Sequence, residues 1–397
     1  MTPTFSVTPE LDLDLRRWQK LALGFGIILL LVSIIGAFWN PSEFFHSYLF
    51  SYLFWIGLTL GSMAVVMIQY LTGGAWGVIS RRTLESAMRT LPLLVVLFIP
   101  IAAGMPQLYD WAHLDRVHSD AILLHRYSYM NPTMFIARAV LYFVVWLLFA
   151  YFLDRGSRRE DRQGDQTSKL ARISAPGLVV YTFTVTFAAI DWAESLRAHF
   201  FSTIWGFIFV VGQGLTAIAF AIVAIAALSR REPMQHAVKT AHFHDLGKLL
   251  FMFVMLWGYL EYSQLIIIWS GNLTHEIPWF LPTFGTNWGY VGGAALIVFQ
   301  FLVPFLLLLS RPLKRNPKAL CWVVGLLFVM RFVDLFWIVM PQVYTTGFRI
   351  NWMNFTVPLA LGGLWMAAFL WQLKRRPLLP LGAPNLERAL THGEHRK

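Results

Sequence analysis

The sequence predicts an all-α integral membrane protein with about ten transmembrane helices. Three observations predict this fold class. Of the 397 residues, 57% are hydrophobic and only 13% are charged, whereas charged residues make up roughly 25% of an ordinary soluble domain. Apolar runs recur at lengths that soluble cores rarely reach. Lys and Arg are concentrated in alternate loops, as in multi-pass membrane proteins.

The apolar runs define the helices. A helix rises ~1.5 Å per residue and needs about 20 apolar residues to cross ~30 Å of hydrocarbon. Residues 1–20 are polar and the first apolar run is long enough to span, so we expect no signal peptide. The predicted spans are 21–39, 51–70, 91–105, 133–153, 176–192, 205–228, 249–270, 289–310, 320–340 and 355–373.

Basic residues predict the orientation. One set of alternate loops holds 26 of the 32 Lys and Arg residues, and the other set holds Arg116, Arg126, Arg197 and Arg349. The positive-inside bias therefore predicts a cytoplasmic segment 1–20, a transmembrane domain 21–373 and a basic cytoplasmic tail 374–397. The net charge of +11 follows from this topology and from attraction to lipid head groups, so we expect no nucleic-acid partner.

Several kinds of redox and metal site are excluded by composition. Cys321 is the single cysteine, so there is no intrachain disulfide, no thiolate-held iron–sulphur cluster and no C-x-x-C-H haem site. Neither an H-E-x-x-H motif nor a phosphate-binding glycine loop occurs. We expect no metal and no covalently bound cofactor, and any redox centre belongs to a partner.

Gly73 and Gly74 predict a turn after the second span.

Glu261 is an ionisable residue that the pattern places near the midplane of the membrane. It lies about twelve residues into the seventh span, ~18 Å from its start. Tyr262, Ser263 and Gln264 follow it and can form hydrogen bonds. A charged group inside a membrane costs a few kcal/mol and usually faces a bundle interior or a wet cavity. We therefore expect Glu261 to be a proton relay, with these three neighbours on its path.

Arg331 and Asp334 form a second pair of buried charges. They are three residues apart in the ninth span, so they share a helix face and can pair. One interpretation is that Arg331 tunes Asp334 on the proton path. The alternative is a purely structural ion pair that joins the ninth span to a neighbouring helix.

Further polar residues lie at the external ends of the spans. Asp110, Asp191 and Glu194 are expected either on a proton path or as solvated loop acids. Arg138 lies one turn inside and either contacts a ligand or extends outward to the interface. A neutral histidine near a carboxylate can take a proton from a quinol hydroxyl, although loop histidines are commonly just solvated. The external histidines are His46, His113, His118, His125, His199 and His275.

Several stretches resemble a known family. The chain is similar to the NrfD-type polysulphide-reductase membrane subunits, and more narrowly to the two such subunits of bacterial alternative complex III. Its length is similar to that of the smaller one. The stretches that carry the resemblance are FWIGLTLGS at 54–62, LTGGAWG at 71–77, YMNP at 129–132 with Arg138, FTVTFAAIDW at 183–192, YSQ at 262–264 through IWSGNL at 268–273, and MRFVD at 330–334.

The resemblance implies a fold and a role. Members have two four-helix bundles, here helices 2–5 (about 51–192) and 6–9 (about 205–340), with helices 1 and 10 outside. They bind no metal. The larger sister subunit is linked to quinol oxidation beside an iron–sulphur protein, and electrons then pass to multihaem and monohaem c-type cytochromes. The smaller subunit is linked to a proton path, onto which Asp191, Glu261, Arg331 and Asp334 map.

Four polar residues are candidates for a site at the external face, and two positions of the chain depart from the family pattern. Asp110, His113, Arg138 and Glu194 are the expected quinone contact or proton exit. Tyr70 and Thr283 stand where relatives often have histidine and a basic residue. The first change removes a proton-transfer step at the cytoplasmic side, and the second weakens an external contact with an anion or quinone.

The leading hypothesis is therefore a membrane subunit of a quinol-oxidising electron-transfer complex in the bacterial cytoplasmic membrane. The chain would hold no redox centre itself; haem and iron–sulphur clusters would belong to its partners, with lipids around it. The alternative is an ion- or proton-coupled secondary transporter, which also uses buried charge and repeated bundles. A third hypothesis is a structural scaffold for the redox partners.

Overall fold

The computed structural model describes residues 5–197, 199–272, 277, 286–344 and 347–392. All regular secondary structure in these ranges is helical. The α-helices, numbered in chain order, are α1 Pro9–Trp39, α2 Pro41–Thr72, α3 Ala75–Met88, α4 Leu91–Leu97, α5 Ile99–Ala103, α6 Met105–Leu108, α7 Leu114–Ser119, α8 Ala121–Arg126, α9 Pro132–Gln163, α10 Thr167–Trp192, α11 Trp205–Leu228, α12 Met234–Ala237, α13 Thr240–Gly271, α14 Val303–Leu309, α15 Arg311–Arg315, α16 Pro317–Val339, α17 Met353–Leu373 and α18 Leu386–Leu390.

Nine helices among the described residues are long and apolar enough to cross a membrane. They are α1, α2, the run Ala75–Ala103 formed by α3 to α5, α9, α10 with the turn that follows it, α11, α13, α16 with the turn that follows it, and α17. This finding supports the prediction of a multi-pass helical membrane protein. The helices extend beyond the predicted spans at several ends; α1, for example, begins at Pro9 within the segment predicted to precede the membrane.

The predicted eighth span, 289–310, differs from the other nine. Its backbone forms π-helical turns at Gly289–Gly293 and Leu296–Leu302 before the α-helix Val303–Leu309. Glycine has low helix propensity, and the first of these stretches contains three glycines. The described residues therefore contain nine long apolar helices rather than the predicted ten, together with this shorter apolar segment.

Asn-Pro pairs start three of the long helices. Asn40, Asn131 and Asn316 each precede a proline, and each side chain accepts a hydrogen bond from a backbone N–H in the first turn. An asparagine N-cap satisfies an otherwise unpaired donor, and proline at the first helical position is pre-set for the helix. The predicted turn after the second span is present, since Gly73 ends α2 with a φ of 68°.

Helix α2 lies at the centre of the assembly, and its apolar segment is entirely buried. It packs on α1, α3, α10, α11, α16 and α17. Gly61 allows the backbones of α2 and α11 to approach, because a Cβ atom there would come within 2.1 Å of the Gln213 carbonyl oxygen. Close helix contacts through small residues are typical of membrane proteins.

Helices α1 and α17 pack closely side by side. A Cβ atom at Gly26 would come within 2.8 Å of Leu364 N, and one at Gly363 within 2.7 Å of the Ala22 carbonyl oxygen. Most of α1 is otherwise exposed at the surface of the chain. Its outer face is apolar, as expected of a helix in contact with lipid or with another subunit.

The two ends of the assembly carry different groups. We call the end with Arg81, Glu85 and Arg376 the basic end, and the end with Asp110, Asp120 and Glu194 the opposite end. At the basic end, α18 packs against α3 and the Leu378 N–H donates to the Phe5 carbonyl at 2.7 Å. The described part of the predicted basic tail is therefore folded against the helices.

Candidate functional site

A cluster of charged residues lies in the middle of α13 and α16. Arg331 Nη1 donates to Asp334 Oδ2, and both side chains are buried. The spacing of three residues within one helix therefore produces the ion pair that the sequence predicts. Glu261 of α13 lies within electrostatic range of both members of this pair. The structure thus brings together three of the predicted site residues.

Glycine on a neighbouring helix makes room for the arginine. Gly212 of α11 faces the Arg331 guanidinium, and Phe209, one turn earlier, lies with its ring centroid 5.9 Å from Arg331 Cζ. A guanidinium over an aromatic face gains a further attraction. The arginine is therefore held by α11 as well as by its own helix.

Asp334 keeps one oxygen free of protein partners among the described residues. The side chains of Gln300 and Trp257 lie beside this carboxylate. Asp334 Oδ1, both amide atoms of Gln300 and the Trp257 indole nitrogen are all buried without a hydrogen-bond partner in the described part of the chain. Buried polar atoms are almost always hydrogen-bonded, often to internal water. The arrangement therefore fits a small group of water molecules that bridges these side chains.

Sequence reasoning missed Gln300 and Trp257. Gln300 lies in a π-helical turn, Leu296–Leu302, where the backbone departs from the α-helical register. Such turns often occur at functional sites. The signal available in the sequence was a lone glutamine between Phe299 and Phe301 in an apolar run. Trp257 carried no comparable signal, because tryptophan is common at many positions of this chain.

Glu261 differs from Asp334 in its contacts. It is half-buried and accepts no hydrogen bond from any residue that the structure describes. Glu261 and Asp334 place two carboxyl groups beside the one guanidinium of Arg331. Arg331 balances one negative charge, and a second uncompensated charge in an apolar interior is costly. The cluster therefore favours a single exchangeable proton on its carboxyl groups.

The three residues after Glu261 point in different directions. Tyr262 is 64% exposed on the outer surface of the chain, away from the cluster. The Ser263 hydroxyl donates to the Tyr259 carbonyl within α13. Gln264 is buried, and its Oε1 accepts a hydrogen bond of 2.6 Å from the Ser202 hydroxyl. Of these three residues, Gln264 is the one whose side chain contacts another described segment of the chain.

Asp191 and Arg138 form a separate ion pair near the opposite end. Arg138 Nε and Nη2 donate to the two Asp191 oxygens at 2.9 and 2.8 Å. The Tyr142 hydroxyl adds a third hydrogen bond to Asp191 at 2.8 Å, and Arg138 lies 3.7 Å from the Tyr129 ring centroid. Arg138 therefore turns inward to Asp191 rather than outward to the interface. Three donors, two of them from one bidentate arginine, therefore fix the position of the Asp191 carboxylate.

The remaining predicted residues of the opposite end do not converge. Asp110 pairs with Arg116 at the surface. His113 Nε2 lies 2.7 Å from the Pro106 carbonyl oxygen. Glu194, in contrast, is only 6% exposed, and its Oε2 has no partner among the described residues.

The external histidines also differ from one another. His46 is buried, with Nδ1 2.7 Å from the Ser42 carbonyl oxygen. His199 contacts Asp120 at 2.6 Å, and this hydrogen bond is the main reason that the pKa of Asp120 lies below its ordinary value. His118 and His125 are exposed. His275 and Thr283 lie outside the described residues.

The basic end contains a buried charge network that sequence reasoning assigned to loops. Arg81 and Arg82 were counted as loop cations, but α3 is helical and almost entirely buried. Arg81 Nη1 donates to Glu160 of α9 at 2.6 Å, and Arg82 Nη1 donates to Glu85 at 2.7 Å. The Tyr70 hydroxyl lies 3.4 Å from Glu85. The tyrosine found in place of an expected histidine therefore contacts this network.

The C-terminal segment completes the same network. Arg376 pairs with Asp154 and lies 3.8 Å from Glu85, and the Leu381 N–H donates to Asp161 at 3.2 Å. Burial lowers the pKa of Arg376, and the two acidic partners oppose this effect. The available signal was the acidic residues that follow the apolar part of α9, Asp154, Glu160 and Asp161, but only the tertiary structure pairs them with arginines of other segments.

Within the described ranges, no group of three His, Cys, Asp or Glu side chains is placed to hold a metal ion. In comparisons with known proteins, no protein-family model and no curated protein matches the chain.

Proposed function

We propose that this chain is a membrane subunit of a quinol-oxidising electron-transfer complex and that it supplies a proton path. Two lines support the proposal. The first is the resemblance of its sequence motifs to NrfD-type subunits. The second is the mid-membrane cluster of Glu261, Arg331 and Asp334, in which the two residues of the MRFVD motif approach the carboxylate of another helix.

The observation that carries the proposal is the excess carboxyl group beside buried, unpartnered polar atoms. Glu261 and Asp334 share one arginine, and Asp334 Oδ1, Gln300 and Trp257 leave hydrogen-bonding capacity that water can satisfy. A structural ion pair needs neither the second carboxyl group nor the free donors. A site that accepts and releases protons needs both.

Each residue then has a defined task. Glu261 takes up and releases the proton, because it is held by no hydrogen bond within the described chain. Asp334 stays charged against Arg331 and orients water through its free oxygen. Gln300 and Trp257 approach the Asp334 carboxylate from the other helices and border the same space. Asp191 is not part of this path, since Arg138 and Tyr142 occupy both of its oxygens.

The helix packing agrees with the arrangement that the resemblance implies. Helices α2, α9 and α10, with the run from α3 to α5, form one group of neighbours, and α11, α13 and α16, with the π-helical segment, form another. The α2–α11 contact joins the two groups. We propose that these are the two four-helix bundles. We place both termini and the basic end in the cytoplasm of a bacterium, on the positive-inside bias.

Quinol oxidation is assigned to the sister subunit. The expected quinone contacts of this chain are already engaged: Arg138 by Asp191, Asp110 by Arg116, and His113 by the Pro106 carbonyl. They do not converge on a common point, so no step of quinol chemistry is routed through them. The partners that we propose are the larger sister subunit, an iron–sulphur protein and c-type cytochromes, which carry the clusters and haems.

Purification tests the proposal directly. The full chain, tagged and extracted with a mild detergent from its native membrane, should bring along c-type cytochromes that absorb as haem. A matched preparation from cells with the untagged chain controls for adventitious haem. Isolation of this chain without any haem protein, together with ion-driven solute uptake in vesicles, would instead favour the secondary transporter.

A further inference from the structure

A chain of hydrogen-bonding groups leads from Glu261 toward the opposite end. Gln264 lies three residues after Glu261 on α13, so the two side chains share a face with Cβ atoms about 5–6 Å apart. Gln264 Oε1 accepts a hydrogen bond of 2.6 Å from the Ser202 hydroxyl. Ser202 belongs to the short connection between α10 and α11. The polar contacts therefore leave α13 and continue into this connection.

Glu194 lies on the far side of Ser202. The backbone N–H of Ser202 faces the Glu194 carboxylate, so the hydroxyl and the N–H of one residue face Gln264 and Glu194 respectively. Glu194 is more than nine-tenths buried, and its Oε2 has no partner in the described part of the chain. It is located in the single turn Glu194–Leu196, directly after α10.

Three other acidic residues at the opposite end contact basic side chains. Asp191 is held by Arg138, Asp110 by Arg116, and Asp120 by His199. The charged group that faces Glu194 is Arg126 of α8, which acts on it through electrostatic attraction. Glu194 is thus the acid at this end that combines burial, an unpartnered oxygen and a link to the Glu261 helix.

From this geometry we infer that Glu194 is the proton exit of the path, that Ser202 holds Glu194 in place through its backbone N–H, and that Gln264 positions Ser202. The inference rests on the proposed proton path and names its outlet. A proton leaves the Glu261 carboxyl group and passes to the Glu194 carboxylate through intervening water. The Glu194 carboxylate becomes a carboxylic acid, then returns the proton to water at the opposite end. No electron moves in these steps.

Carbodiimide modification tests the state of Glu194 in the chain alone. A hydrophobic carbodiimide adds to a protonated carboxyl group, since the acid supplies the proton that the reagent takes up. We expect mass spectrometry of the full chain in detergent to find Glu194 modified. Asp191 is the matched control, because it is also buried but both of its oxygens accept hydrogen bonds from Arg138 and Tyr142. An unmodified Glu194, or equal modification of Asp191, would overturn the inference.

Proton release tests the exit in the intact complex. In membrane vesicles that oxidise quinol, Glu194→Gln should slow coupled proton release by about 10²-fold, the usual scale for loss of a proton-transfer group. Asp115→Asn, an exposed acid on α7, is the control and should release protons normally. If Glu261→Gln abolishes coupling but Glu194→Gln does not, the exit is wrong and the proposed function stands. If neither variant affects proton coupling, both the proposed exit and the proposed function are wrong.

Gln264 needs a separate readout because it acts through Ser202. Gln264→Leu should lower coupled proton release and leave carbodiimide modification of Glu194 unchanged, since Glu194 itself is intact. Gln264→Glu, which keeps an acceptor oxygen for the Ser202 hydroxyl, should restore part of the release. A Gln264→Leu variant with normal proton release would remove Gln264 from the path.

Discussion

Gly212 of α11 lies directly against the guanidinium of Arg331 on α16: a Cβ atom on the glycine would come within 2.5 Å of Arg331 Cζ. The arginine cannot retreat freely, because it is paired with Asp334. The position of the buried charge therefore depends on the absence of a side chain on a different helix.

Substitution of this glycine should disturb the cluster. Gly212→Ala forces Arg331 away from Asp334, and overpacking of this kind costs about 1–3 kcal/mol. We expect a lower thermal unfolding temperature of the purified chain and weaker proton coupling. Gly325→Ala is the control on α16, since a Cβ atom there meets nothing within 4 Å. Equal behaviour of the two variants would contradict the packing argument.

The two carboxyl groups of the cluster should respond differently to neutralisation. Asp334→Asn leaves Arg331 buried without its partner, which costs about 3–5 kcal/mol. Glu261→Gln removes a carboxyl group that accepts no hydrogen bond from the described chain, so stability should change little while coupled proton movement is lost. Detergent melting curves and proton release from vesicles separate the two effects. A Glu261→Gln variant that unfolds like Asp334→Asn would assign Glu261 a structural role.

Asp191 should behave as a structural residue. Asp191→Asn leaves the guanidinium of Arg138 without its carboxylate, and loss of one partner from a buried pair costs about 3–5 kcal/mol. Asp110→Asn breaks an exposed pair with Arg116, for which about 0–1 kcal/mol is usual. Chemical denaturation of both variants measures the difference. If Asp191→Asn kept normal stability but lost proton coupling, Asp191 would belong to the proton path.

The network at the basic end should stabilise the contact between α3 and α9. Glu160→Gln removes the carboxylate that pairs with Arg81 inside the protein, so we expect about 3–5 kcal/mol of destabilisation. Asp12→Asn breaks the exposed pair with Arg16 on α1 and should cost about 0–1 kcal/mol. Protease resistance of the C-terminal segment offers a second measurement, since that segment packs on the same network. Unchanged resistance and stability in Glu160→Gln would show that the network does not hold the segment.

The amino-acid sequence by itself determined the membrane class and most of the helices. An unpaired backbone group is costly in lipid, and a helix pairs these groups within a single segment. Each apolar run of membrane length therefore predicts a helix without reference to the rest of the chain. The pairing of Arg331 with Asp334 was also local, because both residues lie on one helix. The π-helical geometry of the eighth span was not foreseen, because the apolar composition that marks a span does not distinguish α from π turns.

Only the tertiary structure decided which charges meet across helices. Arg81 and Glu160 are paired although they are 79 residues apart and both lie outside the predicted spans. Arg138 contacts Asp191 instead of extending to the interface, and Glu194 is buried with one oxygen that has no partner among the described residues. The physical reason is that the cost of burying a charge depends on its partner, and a partner on another helix leaves no periodic signal in the sequence.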